Sequence, residues 1–286
     1  MKISPMLLET ASEAAINDPN AVVEPKIDGH RLMYTQQNDK RQLYTRHGTI
    51  VTNQYEELLD LKLSGDFCLD GEVCMTDPET GKVDFELIME RFALKKSDKI
   101  KRAAAARPVN YIVWDIPYYK KDLTKLPLTE RRKILEQVLP PHPLIQIIPQ
   151  FDGTQASNLF EIVKQQKLEG YTIKKKNSLY VSKKSPEWLK VIRWEYESVA
   201  LVGFDKKEFG WLTAVEENGK YRPAGIIRLG TNPQARKTFY AKSRPFIIGE
   251  NDKYVFLDPH IKALVKIRNW TRNKMLRDPV FCEFIT

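Results

Sequence analysis

The stretch Val22-Val23-Glu24-Pro25-Lys26-Ile27-Asp28-Gly29-His30-Arg31 determines how the rest of the chain is interpreted. The apolar residues 21–23 predict a buried strand, and the proline predicts its end because proline cannot donate a hydrogen bond to a sheet. A second β-prone run begins after the glycine. We therefore expect Lys26 at the mouth of a hairpin-like turn, close to Asp28 and Arg31.

A lysine in such a position is a candidate nucleophile. Burial and a neighbouring positive charge both lower the pKa of a lysine amine, because each disfavours the ammonium form. The neutral amine can then attack an electrophilic centre and form a covalent intermediate. The alternative is an ordinary surface turn with one acid and two bases, and these ten residues do not decide between the two.

The pattern Lys-x-Asp-Gly-x-Arg, with Glu24 two places before the lysine, resembles the first motif of the covalent nucleotidyltransferases. This family includes ATP-dependent DNA ligases, RNA ligases and mRNA capping enzymes. Its lysine attacks the α-phosphate of a nucleotide and carries the nucleotide as a phosphoramidate. The resemblance implies that Lys26 is catalytic and that Glu24 and Arg31 contact the nucleotide. It also requires phosphate-binding groups, a metal site and a nucleic-acid surface elsewhere.

The composition is compatible with such a protein. The chain has 286 residues, enough for one large or two small domains, and 42% of them are hydrophobic. Its net charge of +9 favours a polyanionic partner, although a merely basic soluble protein remains the alternative. The start shows no signal peptide, and no stretch approaches the roughly 18 apolar residues of a membrane span. We expect a cytoplasmic protein without membrane association.

Two further motifs follow in family order. Arg46, followed by His47-Gly48, resembles the second motif, whose arginine holds a ribose or phosphate oxygen. Asp70-Gly71-Glu72 interrupts a strand-like run, so we expect Glu72 at a sharp bend where its carboxylate faces a site. It resembles the third motif, whose glutamate holds a ribose hydroxyl and helps to bind Mg²⁺. An ordinary turn is the alternative for both sequences.

Two more groups of candidate nucleotide contacts lie further along the chain. Residues 109–116 predict a strand, and Trp114 in it resembles the aromatic residue that stacks on the purine in the family. A core tryptophan is the alternative. The segment Glu169-Gly170-Tyr171-Thr172-Ile173-Lys174 resembles the fourth motif. It implies that Glu169 is the second acidic metal ligand, with Lys174 among the nucleotide contacts.

The fifth motif departs from the family pattern. Trp188-Leu189-Lys190-Val191 resembles it, and in the family its lysines reach the α-phosphate. The family usually shows Lys-x-Lys, but Ile192 stands in the second place and Arg193 follows. We carry over Lys190 alone and leave the second cation unassigned. The lysines of 174–176 and 183–184 predict a basic cluster near the site, with a solvated loop as the alternative.

Periodicity supplies a coarse secondary structure for the first part of the chain. Apolar spacing predicts helices over 55–63, 85–92 and 158–167, and an exposed helix or loop over 95–107. Another helix opens at Leu128, where Thr129 is the predicted cap. Predicted strands are 21–25, 30–36, 42–46, 67–75, 109–116 and 145–149.

From residue 195 onward, short β-rich runs alternate with turns. The predicted strands are 199–204, 211–215, 224–229, 254–257 and 263–267, a number that suits a small closed barrel such as the OB-fold. Residues 195–286 hold 16 Lys and Arg against 11 Asp and Glu, a net charge of +5. The tail resembles the end of the ligase module of bacterial end-joining ligases, which usually continue into an Arg-x-Asp-Lys motif that positions pyrophosphate. This sequence does not show that motif, so we expect another basic residue in its place.

Together these resemblances imply an α+β protein with two domains. An adenylation (nucleotidyltransferase) domain of antiparallel sheets with flanking helices is expected over 1–194, and an OB-fold DNA-binding domain over 195–286. The implied protein is a minimal, monomeric ATP-dependent DNA ligase of bacterial or phage type. It uses ATP and Mg²⁺, with Mn²⁺ as a possible substitute, to seal nicked duplex DNA through a lysyl-AMP intermediate. The sequence does not choose between roles in replication, repair and phage growth. The alternatives are an RNA ligase, a GTP-using capping enzyme and a nucleic-acid-binding homologue that has lost catalysis.

Overall fold

The computed structural model describes residues 3–285, and the chain divides into two compact units, Met1–Arg193 and Trp194–Thr286. The first unit contains runs of strands with helices between them. Its strands are β1 Leu7–Thr10, β2 Ala21–Pro25, β3 His30–Gln37, β4 Lys40–Thr45, β5 Phe67–Cys74, β6 Asn110–Tyr119, β7 Lys121–Asp122, β8 Ile145–Ile147, β9 Phe151–Asp152, β10 Gly170–Lys175 and β11 Lys184–Ile192. Its helices are α1 Phe85–Phe92, α2 Ser97–Ala106, α3 Leu128–Val138 and α4 Ala156–Gln165. Short 3-10 helices lie at Thr52–Leu58 and Gly153–Gln155.

The strands of the first unit form two sheets. The first sheet has the order β1-β11-β10-β2-β9, and the second has the order β4-β3-β5-β6-β7 with β8 beside β6. Most neighbours are antiparallel, as expected. Two pairs depart from that expectation, because β1 runs parallel to β11 and β8 runs parallel to β6. The structure is therefore a mixed α and β fold.

Lys26 does not lie in a hairpin, contrary to the expectation from sequence. β2 is hydrogen-bonded to β10 on one side and to β9 on the other, so it has no free edge for β3. β3 pairs instead with β4 and β5 in the other sheet. The segment 26–29 thus carries the chain from one sheet to the other. This crossing places Lys26 at the border of both sheets.

Helix α1 has the predicted bounds because local signals agree with its packing. The carboxylate of Asp84 caps the helix by accepting a hydrogen bond from the Leu87 backbone N–H at 3.0 Å. Leu87 and Ile88 are buried in the main core, which lies between this helix and the second sheet. Burial of each such side chain contributes about 1.5–3 kcal/mol.

Two other helix predictions need correction. The segment 55–63 is not an α-helix: a 3-10 helix spans Thr52–Leu58, and Tyr55 inside it has a non-helical φ of −132°. Tyr55 is drawn into the core, where its hydroxyl contacts a ring nitrogen of His30. Thr129 does not cap α3, whose N-cap is Pro127. The backbone N–H of Thr129 instead donates to the Lys176 carbonyl at 3.2 Å.

The second unit is β-rich and contains one helix that the sequence reading missed. Its strands are β12 Glu195–Asp205, β13 Trp211–Glu217, β14 Lys220–Ile227, β15 Ile247–Glu250, β16 Tyr254–Leu257, β17 Lys262–Ile267 and β18 Val280–Ile285. The additional helix is α5, Pro233–Ser243, and a 3-10 turn follows at Arg244–Phe246. Only Phe239 and Ser243 of α5 are buried, so the helix lacks an apolar stripe. Asn232, followed by proline, is the cap signal that marks its start.

The strands of this unit form one antiparallel network of the order β14-β13-β12-β16-β15, in which β17 joins β12 to β18. A single parallel bridge links Leu229 to Val280. These pairings do not by themselves close a barrel, so the OB-fold is not confirmed by them. Across residues 3–285, no helix has the length and apolar character that crossing a membrane requires.

Candidate active site

A cationic cleft of 680 Å³ lies in the first unit, where its two sheets approach each other. Met89 and Phe92 of α1 form its apolar wall. Glu72 is the one acid among its described lining residues. The Lys and Arg side chains in the lining are Lys26, Arg31, Arg46, Lys184 and Lys190. A cleft with this excess of positive charge attracts anionic ligands such as nucleotide phosphates.

Lys26 is held at this cleft by the fourth motif. Its backbone N–H donates to the Gly170 carbonyl at 2.9 Å, and its ammonium group forms an ion pair with the Glu169 carboxylate. The Lys26 side chain is 19% exposed, and that of Glu169 is 8% exposed. A Cβ atom at Gly170 would lie 2.1 Å from the Val191 carbonyl oxygen, so only glycine fits there. Gly170 therefore allows β10 and β11 to approach each other closely, while the adjacent Glu169 forms the ion pair with Lys26.

Glu72 reaches the cleft from a continuous strand, not from the sharp bend that we expected. Asp70 and Gly71 lie within β5, and the irregularity is a register shift against β6. A Cβ atom at Gly71 would lie 2.3 Å from the Ile112 carbonyl oxygen, so the glycine permits this close approach. Burial raises the pKa of Glu72 to about 8, while Lys26 acts in the opposite direction. The charge of Glu169 acts in the same direction as burial, so the two predicted metal-binding carboxylates lie near enough to interact electrostatically.

Glu24 and Lys174 form a buried ion pair with an N–O distance of 2.7 Å. Gln150 donates to the other oxygen of Glu24 at 2.9 Å. The Lys174 ammonium lies 5.0 Å from the ring centre of Trp114 and 4.4 Å from that of Trp188. Burial lowers the pKa of Lys174, and the charge of Glu24 partly offsets that effect. Lys174 is thus a buried group and not a member of an exposed basic cluster.

The remaining lysines of the predicted cluster differ in their ion-pair partners and in their position relative to the cleft. Lys175 is ion-paired with Asp18, and Lys176 is ion-paired with Asp152 at 2.7 Å. Lys184 lines the cleft. The run of lysines is therefore dispersed by the fold, because successive residues of a strand point to opposite faces.

Trp114 forms part of the wall of a smaller cavity next to the cleft, together with Glu24, Thr172 and Lys174. Its side chain is 9% exposed and also belongs to a buried apolar cluster. Trp114 is therefore partly a core residue and partly a wall of a cavity that could hold a base. Its indole N–H has no hydrogen-bond partner among the described residues. An aromatic face beside buried polar groups suits a planar heterocycle.

Arg31 makes its polar contacts with the protein. Its guanidinium group forms two hydrogen bonds with the buried Asp70 carboxylate and donates to the Met6 carbonyl at 3.0 Å. It also lies 4.5 Å from the ring centre of Trp114. Burial lowers the pKa of Arg31, but the charge of Asp70 more than compensates and raises it overall. Arg31 therefore supports Trp114 from within the fold.

Arg46 and Lys190 lie where the motifs predict a phosphate site. Arg46 is exposed in the turn after β4, where Gly48 has a φ of +80° and donates to the Thr45 carbonyl at 2.8 Å. Lys190 lies in β11, opposite Thr172 of β10. Both side chains line the cleft with Lys26.

Sequence reasoning missed several residues that support the site. Asp70 pairs with Arg31, and the Tyr180 hydroxyl donates to the same Asp70 carboxylate at 2.6 Å. Asp70 could have been found, because it directly precedes the Gly-Glu of the third motif. Tyr180 and Gln150 belong to none of the motifs that we identified. Both lie outside the strands and far along the chain from the residues they contact, so no local pattern indicates them.

The sequence matches the family of ATP dependent DNA ligase domains over residues 5–191. The chain therefore belongs to the ATP-dependent DNA ligases, enzymes that seal nicks through an adenylate intermediate. This confirms the function that the motifs imply.

Individual relatives agree with that assignment. The chain is 37% identical over 285 residues to the SPbeta prophage-derived DNA ligase-like protein LigB of Bacillus subtilis, a match that covers 98% of each chain. It is 30% identical over 236 residues to the bifunctional non-homologous end joining protein LigD of Bacillus subtilis, covering 74% of this chain and 38% of that protein.

Solved structures show the same fold. A mycobacterial DNA ligase D complexed with ATP and MES has a TM-score of 0.56 and 20% identity, covering 99% of this chain and 95% of that one. A Lig E DNA ligase has a TM-score of 0.70 and 17% identity, covering 100% of both chains. At these identities the likeness supports the mixed α and β ligase fold alone.

Proposed function

We propose that Lys26 is the nucleophile that carries AMP in this ligase. The observation that supports this role is the Lys26–Glu169 ion pair at the edge of a cationic cleft. In the first step the Lys26 amine forms a bond to the α-phosphorus of ATP, and the bond to the pyrophosphate oxygen breaks. Its extra proton must leave first, because only the neutral amine is a nucleophile.

The nucleotide would occupy the cleft and the adjoining cavity. Trp114 offers an aromatic face for the purine, and the Glu24–Lys174 pair supplies a polar edge within the same cavity. Arg46 and Lys190 supply positive charge for the ribose and phosphates. This division follows the chemistry of the walls, since aromatic groups suit bases and cations suit phosphate oxygens.

Glu72 and Glu169 would hold a Mg²⁺ ion. Burial is the main cause of the raised pKa of Glu72, and the Glu169 carboxylate acts in the same direction, so a bound cation would stabilise the ionised form of Glu72. Among residues 3–285, no cluster of three or more acidic, histidine or cysteine side chains is present, so phosphate oxygens and water would complete the shell. Mg²⁺ commonly binds through one or two carboxylates and substrate phosphates. When bound, it would neutralise charge on the reacting phosphate.

The later steps act on nicked duplex DNA. AMP passes from Lys26 to the 5′-phosphate at the nick, and the 3′-hydroxyl then attacks that phosphate and expels AMP. We assign adenylation to residues 1–194 and DNA contacts mainly to residues 195–286. The latter carry a net charge of +5 and the β-rich composition of an OB-fold, in agreement with a nucleic-acid-binding role. We further propose that the enzyme works as a cytoplasmic monomer in DNA replication, repair or recombination.

Incubation with α-labelled ATP and Mg²⁺, followed by a denaturing gel, tests this function. We expect label on the wild-type protein and its loss in Lys26→Ala and Lys26→Arg, since arginine stays protonated. Lys99→Ala, an exposed lysine of α2, is the matched control and should label normally. Label that persists in Lys26→Ala rules out this nucleophile, and a preference for α-labelled GTP contradicts the assignment of ATP.

A further inference from the structure

The second cation of the fifth motif is missing from the position where the family carries it. Ile192 stands there and is only 2% exposed, within the first unit. The guanidinium of the next residue, Arg193, donates to the carbonyls of Leu168 at 2.9 Å and Lys167 at 3.4 Å. Neither side chain is among the described residues that line the cleft. The cleft must obtain its second β11 cation elsewhere.

Lys184, at the other end of β11, lines the cleft together with Lys190. The position of Lys184 is fixed by β1, because Leu7 pairs with it and the Leu7 N–H donates to the Lys183 carbonyl at 3.0 Å. Lys183 is exposed as well, but it is absent from the described lining of the cleft. The two adjacent lysines therefore differ in the direction of their side chains.

A bulge in β11 brings Lys184 closer to Lys190 than their sequence separation implies. Leu7 of β1 pairs with Lys184, and Thr10 of β1 pairs with Lys190. Three steps along β1 thus match six along β11, because the register shifts between Leu8 and Glu9. At about 3.3 Å per residue, the backbones at the two lysines are roughly 10 Å apart. Two flexible lysines at that spacing can reach opposite ends of one triphosphate.

The charges around Lys184 also favour a phosphate ligand for its side chain. Across residues 3–285, no ion pair involves Lys184, whereas Lys175 and Lys176 each meet a carboxylate. The Lys184 ammonium has three donors and no competing acid in the cleft other than Glu72. An ammonium in this setting favours phosphate oxygens as partners.

We propose that Lys184 binds the outer phosphates of ATP and stabilises the pyrophosphate leaving group during adenylation of Lys26. This proposal rests on the proposed function. In the step, the new bond joins the Lys26 nitrogen to the α-phosphorus. The broken bond leaves its electron pair, and hence a negative charge, on the pyrophosphate oxygen. Lys184 neutralises that charge while Lys190 remains at the α-phosphate.

The test measures ATP and AMP affinity by titration calorimetry in a Lys26→Ala background, in which no covalent product forms. Adding Lys184→Ala should weaken ATP binding by roughly tenfold to a hundredfold, the equivalent of one charge-assisted hydrogen bond. AMP binding should stay unchanged, because AMP has no outer phosphates. Lys183→Ala is the matched control, and Lys184→Arg should retain most of the ATP affinity.

Kinetics on the otherwise unmodified enzyme separates the steps. Lys184→Ala should slow formation of the lysyl-AMP intermediate and its reversal by added pyrophosphate, while sealing a pre-adenylated nick at the wild-type rate. Equal ATP binding by Lys184→Ala and Lys183→Ala would overturn the proposal. An equal loss on the pre-adenylated nick would also overturn it, since Lys184 would then contact DNA. A wild-type protein that forms no lysyl-AMP contradicts the proposed function itself. The ATP and AMP affinities distinguish this failure from a failure of the Lys184 proposal, because they are measured without covalent product.

Discussion

The ammonium of Lys26 and the carboxylate of Glu169 form an ion pair although 143 positions separate them in the sequence. The pair joins the first and fourth motifs at one end of the paired strands β2 and β10 of the first sheet. The Glu169 carboxylate is thus the partner of the Lys26 side chain in this structure. A ligand that draws Glu169 away from Lys26 would remove this ion-pair partner from the lysine.

Removal of either acidic side chain near Lys26 should slow nick sealing by at least about a hundredfold. Glu72→Ala and Glu169→Ala each delete a carboxylate that would bind Mg²⁺ and phosphate. Part of the lost sealing activity should be recovered with Mn²⁺, which also takes carboxylate ligands but binds sites with nitrogen and oxygen ligands somewhat differently from Mg²⁺. Glu161→Ala, on the exposed face of α4, is the control. Near-normal sealing by a folded Glu72→Ala protein at low Mg²⁺ places the metal elsewhere.

The stability of the nucleotide-free protein should fall as pH rises from about 5 towards 9 because of Glu72. Its folded-state pKa is about 8, above the ordinary value of 4.5. The folded protein thus binds more protons than the unfolded chain between those values, and the stabilisation by neutral Glu72 is lost as pH passes the folded pKa. Thermal melts of wild type and Glu72→Gln at several pH values test this. A constant difference in Tm across the range contradicts the raised pKa.

The buried pair of Arg31 and Asp70 should be costly to break. Asp70→Ala leaves a buried guanidinium without its carboxylate, and the free energy of unfolding should drop by about 3–5 kcal/mol. The exposed pair of Arg102 and Asp98 on α2 is the control, and Asp98→Ala should cost at most about 1 kcal/mol. Urea denaturation gives both values. A small effect at Asp70 means that Arg31 finds another partner, and tryptophan fluorescence would then report a displaced Trp114.

Binding of a nicked duplex should weaken steeply with salt and depend little on base sequence. The net charge of +9 indicates contacts with phosphates, and each such contact releases condensed counterions. Fluorescence anisotropy at several salt concentrations, with two unrelated nick sequences, measures the slope. An affinity that is insensitive to salt excludes an electrostatic DNA surface.

Local patterns predicted the parts of the fold in which one signal dominates. Apolar spacing predicted α1, and the motifs selected Lys26, Glu72 and Glu169, which the structure brings together. The hairpin at Lys26 was wrong because sheet membership depends on β9 and β10, which lie far along the chain. The environments of Lys174 and Lys184 could not be predicted for the same reason. Neighbouring lysines cannot be told apart in the sequence, but in the folded chain Lys174 is buried and Lys184 lines the cleft.

The central claim is that Lys26 carries AMP, and peptide mapping by mass spectrometry tests it most directly. The wild-type protein is incubated with ATP and Mg²⁺, digested under conditions that preserve phosphoramidates, and analysed for AMP adducts. The account predicts one adduct, on the peptide that contains Lys26, and none after treatment with excess pyrophosphate, which reverses the reaction. An adduct on a different lysine, or an unmodified Lys26 in protein that still seals nicks, would contradict it.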